Sequence, residues 1–193
     1  IRLLEKLQNH KGQDSLRVFR PADAEETTVC WAMAMENMET PTALIFSRQN
    51  IAELPAGNDY EQARKGAYVV AGSDDPFDVI LLASGSEVST LEAGKELLEK
   101  DGVRCRVVSA PSEGLFRRQS KEYQESVLPT DSKIFGMTAG LPVTLEGLVG
   151  IGPNSRIFGM KSFGFSAPYK VLDEKLGFTA ENVYKQVKDF LGK

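Results

Sequence analysis

Histidine, cysteine and tryptophan are nearly absent from these 193 residues: one His, two Cys and one Trp. A lone His10, in a polar stretch away from either cysteine, leaves a zinc site improbable. It also leaves no base within reach of Ser86 for nucleophilic catalysis. Cys30 and Cys105 sit inside apolar runs, so a reducing compartment is expected and a disulfide scaffold is not. No apolar stretch approaches the roughly 20 residues that cross a bilayer, so no membrane partner is expected. A basic excess is missing too. The net charge is −4, and pairs such as Arg117-Arg118 are short and interleaved with apolar residues, which argues against nucleic acid.

What is present is ordinary globular material, 41% hydrophobic and 26% charged, enough for one large or two small domains. The chain opens on Ile1-Arg2-Leu3-Leu4-Glu5-Lys6-Leu7, already helical in spacing with no cap before it, as expected of a piece of a longer protein. Gly12 is the expected helix terminator.

The pattern that follows is strand, helix, strand. Leu16 to Phe19 form a short strand ending in Arg20-Pro21. Asp23 caps a helix in a capping-box pattern with Glu26, and Trp31, Met35 and Met38 recur at helical spacing as its sheet-facing stripe. Ala43 to Phe46 read as a buried parallel strand that stops abruptly at Ser47-Arg48-Gln49-Asn50. Arg48 therefore falls just past a strand's carboxyl end, where open α/β sheets place ligands. Its guanidinium suits phosphate or carboxylate; a salt bridge capping the strand end fits the spacing equally well.

Turn-rich sequence around Gly57 marks a domain boundary. Beyond it, Ala67 to Val70 make an edge strand closed by Gly72 to Pro76. Asp78 to Ala83, Arg104 to Ser109, Lys133 to Met137 and Arg156 to Met160 are further strands, the first followed by the helix of Val88, Leu91 and Leu98. Ser84 and Glu87 match a capping box, and Gly85 permits a sharp turn; helix capping outweighs phosphate binding there. A loop begins at Pro111, helices are expected near 120–127 and from Ser166-Ala167-Pro168 to Leu176-Gly177, and Thr179 caps the last helix. Phe163 and Phe165, flanking Gly164, are expected to pack. The fold class is α/β: a mostly parallel sheet covered by helices, preceded by a partial α/β domain. No self-contained catalytic set is visible.

Several stretches resemble transketolase in order along nearly the whole chain: Val18 to Thr27, Pro41 to Asn50, Leu82 to Val88, Tyr123 to Pro129 and Phe163 to Pro168. The resemblance implies that residues 1–56 are the end of a pyrimidine-binding domain and 57–193 the C-terminal domain. It implies transfer of a two-carbon ketol unit between sugar phosphates, with thiamin diphosphate and a divalent metal (Mg or Ca), in a cytoplasmic homodimer. Cofactor, metal, the activating glutamate and several histidines would belong to sequence before Ile1, so neither cofactor nor activity is expected of this piece alone. Arg48 matches the arginine that grips the substrate's phosphate. At Thr138 many relatives carry an acid. Two alternatives stand beside this reading: a dimer-stabilising or regulatory C-terminal module, and another thiamin enzyme such as a deoxyxylulose-phosphate synthase.

Overall fold

A computed structural model describes residues 1–55, 59–72 and 76–193, with the side chains of Arg2 and Leu3 left out. The expected boundary at Gly57 and residues 73–75 of the expected turn lie outside the described residues.

Two parallel strands, β1 (Arg17–Phe19) and β2 (Thr42–Leu44), pair in register Val18 to Ala43 and are joined by α2 (Ala24–Glu36), after a short α1 (Arg2–Glu5). This is a right-sized βαβ crossover. Asp23 caps α2 by accepting from the Glu26 N–H at 2.9 Å. The Glu26 side chain reaches back one residue further than a capping box requires, to the Ala22 N–H at 2.6 Å.

The larger sheet runs β3 (Tyr68–Ala71), β5 (Cys105–Ser109), β4 (Val79–Ala83), β6 (Ile134–Thr138), β7 (Ser155–Gly159). Only β3, an edge strand as expected, is antiparallel. Strand period two sends Val79, Leu81 and Ala83 to one face and Ile80 and Leu82 to the other, and all five are fully buried. On the first face lie α3 (Glu87–Lys100) and α8 (Ala180–Leu191), together with Phe19, Val29, Cys30 and Met33 from β1 and α2. The other face is covered by α4 (Glu113–Arg117), α5 (Lys121–Val127) and α6 (Glu146–Val149), through Phe116, Val127 and Leu148. Burial on both faces is what a parallel sheet needs. Gly94 lets α3 and α8 approach: a Cβ there would stand 2.5 Å from Val183 Cγ1.

Several sequence expectations are corrected. Trp31, Met35 and Met38 are 53%, 68% and 87% exposed, so they are not the inward stripe. The buried face of α2 is Glu26, Val29, Cys30 and Met33, smaller and partly polar, which a rule based on large apolar residues misreads. Trp31 instead stacks on Phe46, ring centroids 6.3 Å apart. The strand at Ala43 to Phe46 is Thr42–Leu44 and only half-buried, because a two-stranded sheet covers it incompletely. Gly12, at φ +76°, closes a turn with Asn9 and does not end a helix. Phe163 and Phe165 are 97% and 68% exposed and do not pack together. The helix expected from Ser166-Ala167-Pro168 starts later, as α7 (Tyr169–Leu176), with Pro168 as its N-cap and outside its first turn; Gly177 ends that helix at φ +82° and Thr179 caps α8, both as expected.

Candidate functional site

The carboxyl ends of the two sheets meet, and the meeting point is built around a charge. Leaving β1, Arg20 donates its backbone N–H to the Pro111 carbonyl at 2.9 Å, just past β5. Its Nη1 donates to the Ser84 carbonyl, at the end of β4. Nη2 pairs with Glu87 at 2.6 Å to Oε2 and 2.9 Å to Oε1. Glu87 Oε1 also accepts the Ala139 N–H, beyond β6, at 2.8 Å. The Glu87 side chain is 4% exposed and that of Arg20 21%, so the pair is largely desolvated.

The expected Ser84/Glu87 capping box is thus replaced. Ser86 is the N-cap of α3, with no side-chain cap bond, and Glu87 is taken by a cation from a distant part of the chain. A charge-assisted bond outcompetes a neutral local one. Gly85 turns sharply as expected, at φ +69°, and a Cβ there would stand 2.8 Å from Arg20 Cζ. The guanidinium lies where a side chain would be.

Arg48 lies in the bend that follows β2 and is exposed. Among the described residues no ion pair to it is found. The next four residues, Gln49 to Ala52, line a cleft of about 330 Å³ opposite Ser86, Glu87, Ser89 and Thr90 at the start of α3. Asp173 of α7 completes it, and burial together with the Glu87 charge pushes its carboxyl upward. Ser47 lines a separate cleft of about 230 Å³ with Asp23 and Glu53. Arg48 lines neither of the two.

A buried polar group underlies this region. Asp23 Oδ2 accepts from the Leu54 N–H and the Tyr60 hydroxyl, both at 3.0 Å. Glu26, fully buried, accepts the Ser109 hydroxyl at 2.6 Å. Desolvation raises its carboxyl to about 7 despite these bonds. The Tyr68 hydroxyl is buried beside it, near enough to bear on its charge but without a bond of ordinary geometry. Burial also raises both thiols, Cys105 to about 12.

Sequence reasoning takes Glu87 only as a capping-box acid and does not pair it with Arg20. The signal is Arg20's position directly after the apolar strand that ends at Phe19.

A thiamin diphosphate and metal site does not fit these residues. A metal-bound diphosphate needs clustered oxygen ligands and cationic or N–H donors. Among the described residues no group of three or more His, Cys, Asp or Glu could hold a metal, and the cleft beside Gln49 to Ala52 is lined by two carboxylates and by no Lys or Arg.

Comparison with known proteins bears on the family of the chain. The family model described as "Transketolase-like TK C-terminal domain" matches residues 66–179. Transketolase of Staphylococcus epidermidis is 41% identical over 189 residues, covering 96% of this chain, and that of Halalkalibacterium halodurans 40% over 194 residues, covering 97%. The chain spans 28% of the length of each. Among solved structures, transketolase from Leishmania mexicana superposes with a TM-score of 0.84 at 34% identity, covering 98% of this chain and 26% of its own. A Pichia stipitis transketolase in complex with sedoheptulose-7-phosphate gives 0.83 at 32%, covering 94% and 26%. With more than half of its residues inside the domain model, and its mostly parallel sheet shared with those structures, this chain belongs to the transketolase family.

Proposed function

We propose that the chain is the C-terminal part of a transketolase and supplies the guanidinium that grips the substrate's phosphate. In this reading the whole enzyme, a cytoplasmic homodimer, moves a two-carbon ketol unit between sugar phosphates. Thiamin diphosphate and a divalent metal, held by other parts of the polypeptide, would supply the carbanion chemistry. Residues 1–56 are the end of the pyrimidine-binding domain and 57–193 the C-terminal domain.

The observation that carries the reading is Arg48: exposed, without an ion-pair partner among the described residues, and set past the carboxyl end of β2. An arginine so placed keeps its planar fork available for two parallel bonds to phosphate oxygens. Its work is binding and orientation, fixing the far end of the sugar.

Arg48→Ala in the whole enzyme is the test. Loss of a charge-assisted contact, about 1.5–3 kcal/mol, raises KM for xylulose 5-phosphate about 10- to 100-fold. KM for erythrulose, a donor without phosphate, stays unchanged. An unchanged KM for the phosphorylated donor removes Arg48 from the site.

A further inference from the structure

We propose that the Arg20–Glu87 ion pair is a positioning device: through it the larger sheet holds the span that carries Arg48 in the place where phosphate is gripped. The role at phosphate rests on the reading of Arg48 just given; the anchoring itself does not.

The span from Phe46 to Glu53 is tied at both ends to residues that flank Arg20. On the near side, the Ile45 N–H donates to the Phe19 carbonyl at 2.9 Å. On the far side, the Leu54 N–H donates to Asp23 Oδ2 at 3.0 Å. Phe19 and Asp23 therefore carry the whole span between them, and Arg20 adds the charged tie of this short piece to the larger sheet, beside the Glu26–Ser109 bond and the apolar packing of Phe19. Its three attachments, to Pro111, Ser84 and Glu87, reach the ends of β5 and β4 and the start of α3. Through the Ala139 N–H, Glu87 adds the end of β6.

The choice of a charged pair here is informative. A buried ion pair adds little net stability over an apolar contact of the same shape, but its geometry is demanding and its disruption leaves a stranded charge. Such a pair suits register better than adhesion. Gly85 leaves room for the guanidinium, so the turn after β4 is shaped to receive it. Gln49 to Ala52 then lie across the cleft from Ser86 to Thr90, so a shift of Arg20 relative to α3 moves the segment that follows Arg48. This assigns the C-terminal region a task in substrate binding without a residue of its own at the reacting atoms.

Glu87→Gln tests the proposal, because Gln can still accept the Ala139 N–H while losing the charge that holds Arg20. In the 193-residue chain, hydrogen exchange at the Ile45 and Leu54 amides is expected to quicken about tenfold, with the amides of β4 unchanged. In the whole enzyme, KM for xylulose 5-phosphate is expected to rise about tenfold, with kcat within about twofold and KM for erythrulose unaltered. Arg20→Lys, which keeps a point charge without the fork, should fall between wild type and Arg20→Ala in both measurements. Unchanged exchange at Ile45 and Leu54 overturns the anchoring. An equal rise in KM for both donors overturns the positioning role, since a general distortion of the binding site would do the same. Should Arg48→Ala itself leave KM unchanged, the phosphate reading falls separately and the exchange result alone decides the anchor.

Discussion

Glu26→Gln should remove most of the pH dependence of this chain's stability between pH 5 and 8. The Glu26 carboxyl sits at the start of α2, fully buried, and its pKa rises from the usual 4.5 to about 7. Desolvation is the main cause; its bonds from Ser109 and Ala22 pull the other way, and Asp23 adds repulsion. A carboxyl raised on folding binds its proton more tightly in the folded state, so its contribution is complete below pH 4.5 and is lost as pH rises through about 7. At about 1.4 kcal/mol per unit, the loss amounts to about 3 kcal/mol. Gln carries no charge at any pH, can accept the Ala22 N–H and can donate to the Ser109 hydroxyl. Urea unfolding at pH 5 and pH 8 should therefore show wild type losing stability as pH rises, and Glu26→Gln nearly flat and at least as stable as wild type at pH 8. A small drift of the same sign should remain from Glu92 and Asp173, which burial also raises. If the variant keeps the full wild-type slope, ionisation of Glu26 is not what destabilises the folded state.

Gly94→Ala should destabilise by about 1–2 kcal/mol, since overpacking of Val183 outweighs the gain in helix propensity; thermal unfolding of Gly94→Ala/Val183→Ala should then reveal a favourable coupling between the two changes. Phe163→Ser, at a side chain 97% exposed, should alter stability by less than about 0.5 kcal/mol in the same assay.

How much of this was legible beforehand depends on the physics behind each element. Strands β4, β5 and β6 were plain because continuous apolar runs bounded by turn residues have few other solutions. Caps with a local mechanism, Asp23, Thr179 and Gly177, were readable for the same reason. The inward face of α2 was misread, because Trp31 and Met35 outweigh Val29 and Cys30 in any size-weighted pattern, although the smaller residues face the core. Helix α4 was missed inside the Pro111 loop: five residues are too few to display a period. The Arg20–Glu87 pair was out of reach for another reason. Its partners stand 67 residues apart, and nothing local marks Glu87 as anything but a helix-start acid. Arg48 is singled out by its strand-end position, which leaves phosphate binding level with a salt bridge; only the family resemblance favours phosphate.

The division of labour between this chain and the remainder of a transketolase can be tested directly by calorimetric titration of thiamin diphosphate with Mg²⁺ into the 193-residue chain, alongside an assay of ketol transfer from xylulose 5-phosphate to ribose 5-phosphate. No saturable binding and no transfer are expected, because the cleft beside Gln49 to Ala52 offers carboxylates where a diphosphate needs cations. Tight binding accompanied by turnover would contradict the assignment of Arg48 and its anchor as a substrate-holding part, with the thiamin chemistry housed elsewhere.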